Sequence, residues 1–208
     1  MTAVAIVCGG YGRRMGFPKV RLRWGKRYLY EVLVSRFAPH AREVLLVTSD
    51  EVEVPAVPAG VAVATDLVEG AGPLGGIYTA LAQAGTEFVF TLAVDLPFAD
   101  PRFLSLASGL VERGEEFDLY IPFSGGKYHP LHALYRRECA ARMREIIETG
   151  ERRAQRVVDY FRSRVISEEE LVKAGISPRT FTNINTPDEY RALREFSGIS
   201  DCGLRNGE

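Results

Sequence analysis

The sequence predicts an α/β fold, three layers deep, around a mostly parallel sheet. Short apolar runs rich in β-branched residues fall at residues 3–8, 43–48, 61–65 and 88–94, and the segments between them carry helical periodicity. These runs are apolar at nearly every position, which suits strands covered on both faces by helices.

The elements follow in order. The run at 3–8 leads into a glycine-rich loop. Residues 28–37, 74–84 and 101–113 each place apolar side chains three and four apart, as expected of helices packed on a sheet. Residues 118–123 and 132–135 read as two later strands around a Ser-Gly-Gly turn, and 138–148 as another amphipathic helix. Thr186 is a helix N-cap, with Pro187 at the first helical position and Glu189 completing a capping box. Beyond Glu195 the apolar periodicity stops. One domain over residues 1–195 and a loosely held, dispensable tail over 196–208 are therefore expected.

With 208 residues, 46% of them hydrophobic, the chain can bury one substantial core. A formal net charge of −1, with both signs interspersed, provides no basic field for nucleic acid. No apolar run has the length of a signal peptide or a membrane span, so a soluble, cytoplasmic protein without a membrane partner is expected. Cys8, Cys139 and Cys202 are odd in number and lack Cys-x-x-Cys spacing, which suggests neither a disulfide framework nor a zinc site. As a thiol, Cys8 is assigned to packing.

Residues 7–22 read Val-Cys-Gly-Gly-Tyr-Gly-Arg-Arg-Met-Gly-Phe-Pro-Lys-Val-Arg-Leu. Gly9, Gly10, Gly12 and Gly16 can take positive φ and bring backbone N–H groups close to an anion, while Arg13, Arg14 and Lys19 supply positive charge. Phosphate binding follows. The Walker loop is excluded, because Phe17 and Pro18 separate Gly16 from Lys19 and Val20 stands where Ser or Thr is needed. The dinucleotide pattern fails at Met15, where it requires glycine. A tight turn with solvated arginines is the plain alternative, and three cations within seven residues weigh against it.

Asp95 emerges where the most apolar strand ends, at the carboxyl edge of the sheet, where a carboxylate is placed to hold a cation. Magnesium needs only one or two protein carboxylates when triphosphate oxygens and water complete its shell. Taken alone, Asp95 reads better as a cap on the turn before Pro97 and the helix after Pro101; the glycine-rich loop beside it favours the metal role. Gly72-Pro73-Leu74-Gly75-Gly76 precedes a helix and would let a ligand approach its first turn, although Gly-Pro is also ordinary loop punctuation. Asp66 ends the 61–65 strand and could cap a turn. Arg152 and Arg153 read either as a phosphate fork for a second substrate or as a solvated helix start. His129 and His132 lack metal-ligand spacing, read as satisfied, half-buried residues and stay outside the catalytic set. Asn183 and Asn185 are not required by the capping box, so a recognition role stands open for both.

The loop resembles the nucleotidyltransferase signature Leu-Ala-Gly-Gly-x-Ser-x-Arg-Met-Gly followed by lysine, with Cys8 in place of alanine and Tyr11 in place of a small polar residue. With Val94-Asp95-Leu96-Pro97-Phe98, Gly72-Pro73-Leu74, Gly150-Glu151-Arg152-Arg153 and Asn183-Ile184-Asn185-Thr186-Pro187, the chain is similar to the molybdenum cofactor guanylyltransferases over nearly its whole length. That resemblance implies a Rossmann-like sheet of the nucleotide-diphospho-sugar transferase type. It implies a nucleotide site of Val7, Cys8, Gly9, Gly10, Gly12, Lys19, Asp66, Gly72, Pro73, Leu74, Asp95, Asn183 and Asn185. Catalytic roles fall to Lys19, Arg13 and Asp95, with Asp95 holding Mg²⁺. The activity implied is transfer of GMP from GTP to the terminal phosphate of a molybdopterin-type acceptor, with pyrophosphate released. Transient contacts with other cofactor-biosynthesis or acceptor proteins are implied as well. Gly9-Gly10 and Gly72-Pro73-Leu74 fall on the guanine side of the resemblance, and Asp66 matches the aspartate that it implies as a contact to the guanosine part. Open alternatives are a CTP-dependent transferase on the same acceptor, a GTP-dependent one on another phosphorylated acceptor, and a sugar-phosphate or isoprenoid-precursor nucleotidyltransferase. A non-catalytic nucleotide-binding module is disfavoured by Lys19 and Asp95 occurring together.

Overall fold

The computed structural model describes residues 2–9, 15–49 and 52–197. The chain opens with β1 (Thr2–Val7), then a two-stranded hairpin, β2 (Arg23–Trp24) and β3 (Arg27–Tyr28), which leads into α1 (Leu29–Phe37). β4 (Glu43–Thr48) and β5 (Val61–Thr65) follow, then α2 (Pro73–Gln83), β6 (Phe88–Ala93) and α3 (Arg102–Glu112). The second half holds β7 (Leu119–Ser124), β8 (Lys127–Tyr128), β9 (His132–Arg136), α4 (Cys139–Glu148), α5 (Val157–Tyr160), β10 (Ser163–Ile166), α6 (Glu168–Lys173) and α7 (Pro187–Phe196). The main sheet runs β10-β7-β9-β6-β1-β4-β5, with β8 paired to β7. Every pairing along that order is parallel except those of β9, which runs antiparallel to both β6 and β7.

Alternation along β1 sets the layers, because successive side chains point to opposite faces. Val4 and Ile6, with Cys8 beyond, join the core beneath α1 and α3, where Leu33, Phe37, Phe90, Phe103 and Leu104 meet. Ala3, Ala5 and Val7 join the second core beneath α2 and α4, with Ile77, Ala80, Met143 and Ile146. The expected three-layer arrangement with a mostly parallel sheet is what the chain adopts. Small residues on the second face let α2 approach closely. A Cβ on Gly76 would lie 2.4 Å from Cγ1 of Val7, so only glycine fits there without displacement. Gly75 is also enclosed, since its Cβ would meet the Val68 carbonyl at 3.0 Å and Oδ1 of Asp66 at 3.1 Å. The expectation that these two glycines open the helix to a ligand is therefore corrected: both face protein.

The run at 61–65 departs from the expected burial on both faces. β5 is the sheet's edge, with β4 as its one neighbour, and Val63 is 46% exposed. β10 and α6 were not anticipated, although Ser167 and Glu170 form a full capping box at the start of α6. α7 ends at Phe196, one residue past the expected domain limit, and 198–208 lie outside the described residues. Among the described residues, no helix is long and apolar enough to cross a membrane.

His132 also departs from expectation. It pairs with Leu92 across β9 and β6 and is fully enclosed. The rings of Phe90, Phe103 and Phe181 surround it at 5.1, 5.4 and 5.2 Å, and neither ring nitrogen has a hydrogen-bond partner among the described residues. Burial, with a smaller effect from His129, holds its pKa down to about 3.

Two outcomes follow. Gly76→Ala should lower stability by about 1–3 kcal/mol through overpacking against Val7, read as an earlier midpoint in urea; Val7→Ala in the same chain should recover part of the loss. Below about pH 6.5 the unfolded chain takes up a proton at His132 that the folded chain refuses. Stability is thus full above that pH and falls as pH drops toward about 3. His132→Leu should flatten the slope of unfolding free energy between pH 6 and 4 by up to about 1.4 kcal/mol per pH unit; an unchanged slope would show that the group titrates normally.

Candidate active site

β1 and β6 lie side by side and parallel, with Val7 opposite Ala93, so the segments that follow them leave the same edge of the sheet together. The Val94 N–H donates to the Val7 carbonyl at 3.1 Å, which extends the ladder one residue past β6. Asp95 comes next. The buried side chains of Val94 and Leu96 anchor it on either side, and it is itself only 4% exposed. From α1, the half-buried Arg36 donates to the carbonyls of Pro97 at 3.0 Å and Ala99 at 2.7 Å, which fixes the turn behind the carboxylate. Sequence reasoning missed Arg36, because an arginine on a helix carries no local signal that its partners are carbonyls sixty residues away.

Lys19 stands at the start of a single 3-10 turn, Lys19–Arg21, whose Val20 is sunk in the core with Leu22. Its ammonium group pairs with Oδ2 of Asp95 and reaches Oδ1 of Asn185 at 3.5 Å. The third segment is fixed by Ile184, which is fully buried and donates its N–H to the Asp95 carbonyl at 2.9 Å. Alternation about Ile184 leaves Asn183 and Asn185 outside that core. The N–H of Asn185 donates to Glu189 at 2.7 Å, and Thr186 and Glu189 close the expected capping box. Lys19, Asp95 and Asn185 are thus brought together from widely separated parts of the chain. Oδ1 of Asp95 is buried and has no hydrogen-bond partner among the described residues. Among those residues no group of three or more His, Cys, Asp or Glu could hold a metal by itself.

The start of α2 adjoins this site through the contact of Gly76 with Val7. Gly72 precedes the helix at φ 60°, a conformation that glycine tolerates, and Pro73 takes the first helical position. The Leu74 side chain is buried in the core, so this residue can meet a ligand only through its backbone. Oδ1 of Asp66 accepts the Thr79 hydroxyl at 2.9 Å and the Val68 N–H at 3.3 Å, so one oxygen does cap the turn. Burial pushes this carboxyl up, and the two hydrogen bonds pull it back only in part.

Cys8 donates its N–H to the Val47 carbonyl at 2.7 Å, and its thiol lies 3.6 Å from the Ile6 carbonyl. Burial and, secondarily, the charge of Asp95 push that thiol up, so it is no nucleophile. Gly16 has φ 77°, whereas Gly9 has no positive φ and nothing within 4 Å of a notional Cβ. Gly10, Gly12 and Arg13, with Tyr11 and Arg14, lie outside the described residues.

The Gly150-Glu151-Arg152-Arg153 run follows α4 and does stand at a helix start: Arg153 is the N-cap of a 3-10 turn, Ala154–Arg156, that continues into α5. Arg153 forks onto Glu151 at 3.1 Å, and Arg152 donates to the carbonyls of Ile147 and Glu151 at 2.9 and 2.7 Å. Both guanidinium groups are thus already engaged. His129 is held by the Ser124 carbonyl at 3.1 Å and stacks on Phe181 at 4.3 Å, in keeping with a packing role.

Residues 4–166 match the model of the MobA-like NTP transferase domain family. A Pelotomaculum thermopropionicum protein named "Probable molybdenum cofactor guanylyltransferase" is 33% identical over 95% of this chain and 94% of its own length. A Peptoclostridium acidaminophilum protein of the same name is 30% identical over 98% of this chain and 91% of its own. Among solved structures, the Archaeoglobus fulgidus molybdopterin-guanine dinucleotide biosynthesis protein A superposes with a TM-score of 0.79 at 27% identity, covering 94% of this chain and 98% of that one. The Thermus thermophilus 2-C-methyl-D-erythritol 4-phosphate cytidylyltransferase shares the fold, with a TM-score of 0.64 at 15% identity over 96% of this chain and all of that one. With the match running from β1 through β10 and relatives aligned along nearly the whole sequence, the chain belongs to the MobA-like NTP transferase domain family.

Proposed function

We propose that this chain is a GTP:molybdenum cofactor guanylyltransferase that transfers GMP from GTP to the terminal phosphate of a molybdopterin-type acceptor. The relatives' names support the substrate pair. One observation carries the catalytic reading: Lys19, which also reaches Asn185, pairs with a buried Asp95 whose second carboxylate oxygen has no protein partner among the described residues. An unpartnered buried carboxylate oxygen is costly unless a ligand completes it. Asp95 therefore fits a single-carboxylate Mg²⁺ ligand, with substrate oxygens and water filling the rest of the shell. When bound, Mg²⁺ neutralises charge on the phosphate oxygens and orients them.

In the proposed reaction, an acceptor phosphate oxygen forms a bond to the α-phosphorus of GTP while the bond to the bridging oxygen breaks, and pyrophosphate leaves with that electron pair. The acceptor phosphate is already anionic near neutral pH, so no protein base is required. The work of the chain is positioning and charge neutralisation. Lys19, and Arg13 on the sequence pattern, offset charge on the phosphoryl oxygens. Asn185 holds the lysine from one side and Asp95 from the other. Asp66 and the Gly72-Pro73-Leu74 turn form the nucleoside end, and Asn183 and Asn185 line the opposite wall.

Asp95→Ala should lower turnover about a thousand-fold or more while the melting temperature stays within a few degrees, because the freed Lys19 is partly exposed and can hydrate. Lys19→Ala should cost about 2 kcal/mol of stability in addition to activity, since it strands a buried carboxylate; partial solvation of the lysine keeps this below the loss for a fully buried pair. Wild-type turnover of Asp95→Ala with Mg²⁺ present would remove the metal assignment. Pyrophosphate release measured side by side with GTP and CTP should favour GTP on the molybdopterin acceptor, whereas equal or better use of CTP would assign the chain to cytidylyl transfer.

A further inference from the structure

Thr79 lies on the inner face of α2 and has no exposed surface. A threonine within a helix ordinarily turns its hydroxyl back to a carbonyl one turn earlier. Here the hydroxyl serves groups outside the helix. It donates to Oδ1 of Asp66 at 2.9 Å and accepts the Leu67 N–H at 2.9 Å. Both capacities of a buried hydroxyl are thereby used at the turn between β5 and α2. The β-branched side chain has few χ1 wells in a helix, so the direction of this bond is set by the backbone. Gly75 lets the same carboxylate settle against the first turn of α2, with Oδ1 only 3.1 Å from where a Cβ would stand. The Val68 N–H adds a third constraint on the same oxygen at 3.3 Å. Oδ2 receives none of these bonds.

We propose that Thr79 is a positioning residue for nucleotide recognition: by pinning Oδ1 of Asp66, it leaves Oδ2 as the oxygen that accepts an N–H or O–H of the bound guanosine. The inference rests on the reading of Asp66 as the guanosine contact. Without the Thr79 hydroxyl, the carboxylate can rotate, and the Leu67 N–H loses its acceptor. GTP affinity then falls, while the reacting phosphates, held at Lys19 and Asp95, are untouched.

The test is a mutant cycle read by calorimetric titration with GTP and by steady-state pyrophosphate release. Thr79→Val should weaken GTP binding about tenfold and change kcat by less than about twofold. Thr79→Ser, which keeps the hydroxyl, should restore affinity. In an Asp66→Ala background, Thr79→Val should produce no further loss. Thr79→Ala supplies the same comparison should the valine variant fold poorly. Burial raises the Asp66 carboxyl, and the bonds from Thr79 and Val68 oppose it, with no charged side chain among the causes. Removing the hydroxyl should therefore make GTP affinity begin to fall at a higher pH on acidification, a shift that a purely structural threonine would not produce. Equal losses from Thr79→Val with and without Asp66 would overturn the proposal while leaving Asp66 as the contact. If Asp66→Ala alone left GTP affinity intact, the guanosine reading itself would fall, and the proposal with it.

Discussion

The burial of the Asp95 carboxylate is the constraint on which the site depends. An ionised carboxylate withdrawn from water loses several kcal/mol of solvation, and only well-placed partners return it. The chain provides one such partner, Lys19, for one oxygen and leaves the other unpaired among the described residues. Keeping that arrangement requires three segments to be fixed independently. β6 delivers Asp95 through the Val94 to Val7 bond, Val20 and Leu22 anchor the Lys19 turn in the core, and Ile184 ties the asparagine segment to the Asp95 carbonyl. Each anchor is apolar or a backbone hydrogen bond. The polar groups at the centre are thus free to answer to a ligand instead of holding the fold together.

The two faces of the sheet divide this task by side-chain size. On the α1 and α3 face, the large rings of Phe37, Phe90 and Phe103 fill a deep core, and the rigid packing there supports Arg36 beneath the Asp95 turn. On the α2 face, Ala3, Ala5 and Gly76 keep the helix close to β1, and Gly75 lets the Asp66 turn close against the helix. Close approach brings the first turn of α2 and the Asp66 turn to the same sheet edge as Lys19. This is also where β1 has a neighbour on either side in β4 and β6, the kind of position at which open α/β sheets form a crevice for ligands.

Much of this was legible in the sequence, for physical reasons that differ by element. β1, β4 and β6 are buried and continuous, so their apolar runs give nearly correct limits. α2 and α7 are bounded by Gly-Pro punctuation and a capping box, both local signals. The edge strand β5 reads much like its buried neighbours, because a short apolar run does not reveal how many strands flank it. β10 is only four residues long and half exposed, which left no periodicity to detect. At the site, Lys19, Asp95 and Asn185 were recognisable by motif, but their contact was not, since 76 and 166 residues separate the paired groups. Arg36 and Thr79 left no motif because they act on backbone carbonyls and on another side chain. For the arginines at 152 and 153 the sequence leaves two readings open, because it shows charge but not the bonds they make to Glu151 and to two carbonyls.

The C-terminal segment illustrates why the match of residues 4–166 cannot bound the working unit. Asn185 lies beyond it and still reaches Lys19. Phe181 stacks on His129 and meets His132 edge-on, so the strand β9 is roofed by this segment. Arg179 then lies between two rings, with its guanidinium carbon 4.2 Å from the centre of Phe98 and 4.1 Å from that of Phe196. Phe98 belongs to the turn that follows Asp95, and Trp24 of the hairpin meets it edge-to-face at 5.7 Å. One column of ring contacts thereby links the hairpin after Lys19, the Asp95 turn and the last residue of α7. Cation–π contacts at exposed positions contribute only about 0.5–1 kcal/mol each, too little to hold the segment alone. Their value lies in direction: they restrict how the two sides of the carboxylate move relative to each other, while the buried Ile184, Phe181 and Tyr190 supply the adhesion. The placement of Asn185 beside Lys19 is therefore as much a product of the chain's last described helix as of the sheet it closes over.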